Sequence, residues 1–136
     1  MTDEQVVAAI FDAFARRDLD AVLALFDPEA EIWPQGTAER VDRTKPYRGH
    51  DGLRRYLADV EEVWEDLQVE PGELRSVAGS VVAFGTARGT PRTGPPIEQP
   101  VIWTIRLRHG RVTRIQVVAT AAEAERAARE QSAERS

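Results

Sequence analysis

The chain contains no cysteine, which excludes disulfides, a thiol nucleophile and thiolate metal ligation. It has two histidines, His50 and His109, and a single lysine, Lys45, so arginine supplies nearly all of the positive charge. Guanidinium groups specify an anion only where several converge, and the bias towards arginine reads as composition, not as a phosphate site. No apolar run reaches the 18 or so residues of a membrane span. The start, Met1-Thr2-Asp3-Glu4-Gln5, is acidic and leads into an amphipathic segment, unlike a secretory signal. The expected location is therefore the cytoplasm. A net charge of -5 is the opposite of the basic stripe that nucleic-acid phosphates require, so no nucleic-acid partner is expected.

What is present fits one domain. At 136 residues and 42% hydrophobic, the chain can close a single core over residues 1–136 and leave a modest cavity. Thr2 and Gln5 form a capping-box pattern, and Val7, Ile10, Phe11 and Phe14 recur at helical spacing through Arg16. Asp18 can cap a second helix carrying Leu19, Val22, Leu23 and Phe26, which Asp27-Pro28 ends. Ala30 to Trp33 reads as a brief strand stopped by Pro34, and residues 35–46 as a polar loop. A third helix begins near His50 or Asp51 and runs to about Asp66, with Leu53, Leu57, Val60, Trp64 and Leu67 as its apolar stripe.

After Leu67 the period changes to two. Leu67 with Val69, Val77, Val82 with Phe84, Val101 with Trp103, Ile105 and Leu107, and Ile115 with Val117 and Ala119 mark four strands of an antiparallel meander. Residues 88–100 read as a Pro/Gly-rich hairpin connection, and His109-Gly110 as a tight turn. Val81, Ala83, Ile102 and Val118 are apolar on the opposite face, which the helices do not cover, and a homodimer through that outer face is expected. Arg106, Arg108 and Arg114 alternate away from the core towards it. Thr120 with Glu123 opens a last helix over 121–136 whose apolar residues are alanines, a marginal element.

The order of these elements carries a resemblance. Arg17-Asp18-Leu19-Asp20-Ala21 between the first helices, Tyr47-Arg48-Gly49-His50-Asp51-Gly52-Leu53 before the long helix, Trp64-Glu65-Asp66, Glu98-Gln99-Pro100-Val101 and His109-Gly110-Arg111-Val112 together resemble the SnoaL-like branch of the nuclear transport factor 2-like superfamily. The resemblance implies an α+β, cone-shaped fold. In it a curved, mostly antiparallel sheet wraps the N-terminal helices and one long helix around an apolar cavity open at one end. It implies no single activity, because one fold hosts many.

The catalytic schemes of that superfamily find few of their residues here. The places of the ketosteroid isomerase base and of its two oxyanion donors hold Trp33 or Pro34, Ile10 and Trp103. Where related cyclases carry an acid at the last strand, this chain has Thr120, which reads as a helix cap. The two carboxylates and bridging arginine of the epoxide hydrolases are missing from the expected inward positions. Two histidines separated by a helix and most of a sheet make no metal site, and no cofactor is expected.

Two side chains remain as catalytic candidates. His50 lies at a helix start, where the dipole disfavours the imidazolium and leaves a neutral base, although a loop or capping role is the simpler one. Tyr56 offers a phenol one turn further on, equally suited to packing. Phe14, Trp33, Tyr56, Val60, Phe84, Trp103, Ile115 and Val117 are the expected ligand-binding wall. Asp12 and His109 read as surface residues. Three functions compete: an apolar pocket for a small, flat hydrophobic molecule with no complete catalytic set; a cyclase-, isomerase- or dehydratase-like enzyme using His50 and Tyr56; and a protein-interaction module with a filled cone. Whether the chain is an enzyme is left open by the residues.

Overall fold

Thr2 opens the first helix as its spacing with Gln5 predicts. The computed structural model describes residues 1–33, 37, 40–118, 126, 128 and 129, and in it α1 spans Asp3–Ala15. The Thr2 and Gln5 side chains each accept the other's backbone N–H, at 3.1 and 2.9 Å, so two helix-end donors are satisfied reciprocally. The helix buries Val6, Val7, Ile10 and Phe11. It stops where Arg17 takes a left-handed φ of 55° and the Asp18 N–H returns to the Ala13 carbonyl at 2.9 Å, a closure usually made with glycine.

A side chain in that conformation costs about 1 kcal/mol, which the Arg17 guanidinium offsets by donating to the Phe14 and Leu67 carbonyls at 2.7 and 2.8 Å. The end of α1 is thereby tied to a distant strand. Arg17→Ala is expected to lower the unfolding free energy by about 1–2 kcal/mol through the two lost bonds. Urea denaturation measures this, and Arg17→Gly should recover part of the loss because glycine adopts positive φ freely.

The second helix, α2, spans Leu19–Ala24, with Asp18 accepting the Ala21 N–H at 3.2 Å. Phe26, expected on this helix, instead begins β1, Phe26–Trp33. The Leu25 carbonyl accepts the Val112 N–H at 2.8 Å, and that bond draws the chain into the sheet. A second short strand, β2, Tyr47–Arg48, lies where only a loop and a helix start were expected, and it pairs Ile32 with Tyr47. The long helix, α3, spans Gly49–Val63.

That helix ends three residues before the predicted Asp66. Trp64 has φ -107° and ψ 132° and starts β3, Trp64–Val77. A register shift between Trp64 and Asp66 is the physical reason for the misreading. A bulge resets the alternation of a strand, so Trp64 and Leu67, three apart, both face inward and imitate a helical stripe.

The remaining strands are β4, Ser80–Pro91, β5, Ile97–Arg108, and β6, Arg111–Val118. The six strands form one open sheet in the order β2-β1-β6-β5-β4-β3, in which β1 runs parallel to β6 and the other neighbours are antiparallel. Shifts in β1, in β3 and between β5 and β6 bend it, giving the curved α+β architecture. The β4–β5 hairpin is tighter than predicted, since Arg88 pairs with Glu98 and Gly89 with Ile97. At the β5–β6 turn His109 and Gly110 both take positive φ, 53° and 74°, and His109 is exposed. Among the described residues no helix is long and apolar enough to cross a membrane.

In β4 the facing is the reverse of that predicted. Val81 and Ala83 join the core with Trp103, Ile105 and Leu107, while Val82 and Phe84 alternate to the outer side. Both parities of Val81-Val82-Ala83-Phe84 are apolar, and volume decides between them. The inward parity continues through Gly85 and Gly89, where a Cβ would meet the Trp103 ring at 3.0 Å and the Trp64 ring at 2.8 Å. Small residues on β4 thus seat large rings from its neighbours.

On the outer side, Ser80, Val82 and Thr104 are buried within the single chain, so the expected bare face is only partly bare. Phe84, Ile102 and Val118 form a half-buried row across three strands. The predicted C-terminal helix falls largely outside the described residues, as do Pro34, Ala119 and Thr120. Of the described ones, Arg126, Ala128 and Arg129 are helical and Ala128 is fully buried.

Candidate functional site

Between the helices and the concave face of the sheet lies a cavity of about 400 Å3. Ile10, Phe11 and Phe14 of α1, Leu53 and Tyr56 of α3, and Val101 and Trp103 of β5 supply much of its wall, with Trp33, Trp64, Ile115 and Val117 around them. The Phe11 ring meets Trp103 edge-on at 5.0 Å, and Phe14 stacks with Tyr56 at 6.2 Å. The chain's three tryptophans all line this one space.

Placement of the predicted wall residues is mixed. Phe14, Trp33, Tyr56, Trp103, Ile115 and Val117 lie on the wall, whereas Val60 and Phe84 do not. Val60 is buried in the packing of α3. Phe84 is on the outer register, with the Arg75 guanidinium 5.2 Å from its ring. Trp33 reaches the wall by another route than expected. Ile32 is the inward residue of β1, paired with Ile115, and Trp33 lies at the strand end, 36% exposed, with the Arg114 guanidinium 5.6 Å from its ring.

The two catalytic candidates do not meet on this wall. His50 is absent from it, and its Nε2 lies 3.0 Å from the Phe26 carbonyl oxygen. A carbonyl only accepts, so that nitrogen carries the hydrogen and the ring is parked on backbone. Tyr56 does face the cavity. Burial pushes its phenol up to about 12, against the partly opposing Arg17 charge and a hydrogen bond with Thr37, so near neutral pH it is a neutral donor and acceptor.

Three polar features escaped the sequence reading. Thr37, from the segment read as a polar loop, is buried on the wall and accepts the Trp64 indole N–H at 3.0 Å. Gln99 is exposed at the cavity's edge, on the same strand face as Val101 and Trp103. Asp59, 1% exposed, accepts the Tyr47 hydroxyl at 2.6 Å, while Arg55 Nε sits 3.0 Å from its other oxygen, off the direction of a hydrogen bond. The available signal for Asp59 was its place three residues after Tyr56, on one side of α3. Tyr47, fully buried, is edge-on to Tyr56 at 5.4 Å, and the Arg43 guanidinium covers it at 4.1 Å.

Burial, the bond to Asp59 and its negative charge raise the Tyr47 phenol well above its usual value. Both of the chain's tyrosines therefore hold their protons more tightly folded than unfolded. Their stabilisation is complete below the unfolded value near 10 and is lost as pH rises through the folded ones. Absorbance at 295 nm should show little tyrosinate at about pH 10.5 in the native protein, where an unfolded chain is more than half ionised. Tyr56 should ionise before Tyr47.

The wall has no carboxylate, imidazole, amine or guanidinium among the described residues, and no cluster of three His, Asp or Glu that could hold a metal occurs among them. The profile described as a SnoaL-like domain matches residues 7–115. The chain belongs to the SnoaL-like domain family. Solved structures of the same fold include a nuclear transport factor 2-like protein of unknown function from Burkholderia pseudomallei, 24% identical, covering 93% of this chain and 97% of that one, with a TM-score of 0.78. TerC, co-crystallised with polyporic acid, is 24% identical over 89% of this chain and 93% of its own, at 0.76. A candidate polyketide cyclase from Xanthomonas campestris is 17% identical over 89% and 92%, at 0.72. None of the curated proteins matches the chain. At such identities these neighbours establish the shared fold alone, and the chemistry of this SnoaL-like chain has to be read from its own wall.

Proposed function

We propose that this SnoaL-like protein binds a small, flat, largely apolar molecule in its cone. The carrying observation is an unfilled cavity of about 400 Å3 walled by aromatic and aliphatic side chains, a size in the usual range for small-molecule sites. The co-crystallisation of TerC with polyporic acid supports a small-molecule role for this cone, and the open cavity weighs against an interaction module with a filled one. A cyclase- or dehydratase-like reaction through His50 and Tyr56 needs both within about 3.2 Å of one substrate region, and the engagement of His50 with Phe26 favours binding over that chemistry.

Native mass spectrometry of the protein purified without added ligand tests the proposal. A bound mass that is released on denaturation, and lost when Ala87→Trp fills the wall without lowering the melting temperature, is the expected result. Absence of any copurified mass together with failure to bind neutral aromatic probes would overturn it. Turnover abolished by His50→Ala on a screened substrate would instead favour the enzyme.

We also propose that two copies pair through the outer sheet face. The row Phe84, Ile102 and Val118 supports this, because it is apolar, crosses three strands and can meet its own copy about a two-fold axis. Light scattering at micromolar concentration should give the dimer mass and Phe84→Glu the monomer mass. A monomeric wild type contradicts the pairing.

A further inference from the structure

Two arginines stand out by what they lack. Within residues 1–118, every other described arginine is engaged by a carboxylate, a carbonyl, an aromatic ring or another group of the chain. The side chains of Arg108 and Arg111 have no such partner among the described residues, and both are exposed. With 23 acidic residues against 18 basic ones, a shortage of carboxylates is not the reason.

The two are also register partners across the β5–β6 turn. Positive φ at both turn residues, His109 and Gly110, marks the two-residue turn whose twist suits a hairpin, so the backbone fixes the spacing of the pair. Their side chains leave the same face of the sheet directly opposite each other, where like charges repel. An anion held by both removes the repulsion and gives each planar fork the acceptor it lacks.

The pair borders a shallow surface depression that His109 and Asp27 also line. None of these four residues is on the cavity wall, so the place is separate from the apolar site. Asp27 is half-buried, and its Oδ1 accepts the Glu29 N–H at 2.9 Å. Its other oxygen has no partner among the described residues.

These groups set the chemistry of the ligand. Two five-donor forks present more N–H groups than one carboxylate has lone pairs, and a tetrahedral oxyanion matches them better. The ionised Asp27 can only accept, so an anion beside it has to bring a hydrogen. Monohydrogen phosphate has two negative charges for the arginines and one P–O–H for Asp27. Sulfate has the charges without the hydrogen, and the carboxylate repels it. We propose that the β5–β6 turn and Asp27 form a binding site for monohydrogen phosphate, in which Arg108 and Arg111 hold the charged oxygens and Asp27 accepts the hydrogen. The cavity-binding proposal does not depend on this site, and neither result bears on the other.

Titration of the full chain with inorganic phosphate, sulfate and methyl phosphate, at pH 8 and fixed ionic strength, tests this through the carbon-bound ring hydrogens of His109 in NMR spectra. At that pH phosphate is mainly the monohydrogen dianion, and methyl phosphate is a dianion with no P–O–H. Phosphate should shift the His109 signals saturably, with a dissociation constant of about 1 mM. It should bind about 10-fold more tightly than either of the other anions, the effect of one charge-assisted hydrogen bond. Arg108→Gln and Arg111→Gln should each weaken phosphate by about 10-fold. Arg54→Gln, which changes the net charge equally at an arginine already paired with Asp51, should change it less than about 2-fold. Asp27→Asn keeps an oxygen for the Glu29 N–H and should bring phosphate and sulfate to equal affinity. Melting curves of the four variants report that the fold is kept. Shifts that do not saturate, equal affinity for the three anions in the wild type, the same loss in Arg54→Gln as in Arg108→Gln, or a preference for phosphate that survives Asp27→Asn would overturn the site as proposed.

Discussion

Trp103→Ala should lower the unfolding free energy by about 3–5 kcal/mol, the range for removing a buried tryptophan and leaving a cavity. Trp103 is 8% exposed, meets Phe11 edge-on at 5.0 Å and rests against β4 where Gly85 leaves no side chain. Little nearby can collapse into the space, because Gly85 and Ala87 on the facing strand are too small to fill it. The loss should therefore sit at the upper end of the range, and Trp103→Phe, which keeps a ring, should lose less than half as much. Guanidinium denaturation with an unchanged slope measures both. A loss below about 1 kcal/mol for the alanine variant would mean that the ring is not part of the packed wall.

Asp59→Ala is expected to cost about 2–4 kcal/mol, although the residue touches no expected ligand. Its carboxylate is 2% exposed and takes the Tyr47 hydroxyl at 2.6 Å, which joins the two-residue strand β2 to the middle of α3. Removing it strands a buried phenol hydrogen, and an unpaired buried donor costs more than the bond it replaces. The Arg55 contact contributes little, since that side chain is 63% exposed. Pairing the substitution with Tyr47→Phe separates these effects. The double variant should be less destabilised than the sum of the two singles by about 1–2 kcal/mol, because neither partner is then left unmatched.

The parts of the fold that are legible in the sequence are those fixed by neighbours in the chain. Thr2 and Gln5 state their capping box within four residues, and Val101, Trp103, Ile105 and Leu107 state the inward face of β5 by alternation alone. Trp64 and Leu67 misled because a bulge and a helix can share a spacing of three. Val81 to Phe84 misled because either parity could be inward, and the choice rests on rings supplied by β3 and β5 across the sheet.

The site was legible to the same degree. Trp103, Ile115 and Val117 follow from periodicity within their own strands, whereas Tyr56 lies off the helical stripe of Leu53, Leu57 and Val60 and is placed on the wall by the family resemblance. Thr37 follows from neither, since its value comes from an indole 27 residues away, nor does Asp59, whose partner is Tyr47, 12 residues before it. His50 drew attention as a rare residue at a helix start. Its ring is instead held by the Phe26 carbonyl, a contact between segments that no local pattern announces.

A cone that takes one flat, neutral molecule, as proposed, should bind Nile red, and titration followed both by the blue-shifted emission of the dye and by quenching of the three wall tryptophans measures this. Saturable binding of one dye per chain, abolished in a folded Ala87→Trp variant, is the predicted result. Binding that does not saturate, or that survives unchanged in Ala87→Trp, would contradict it.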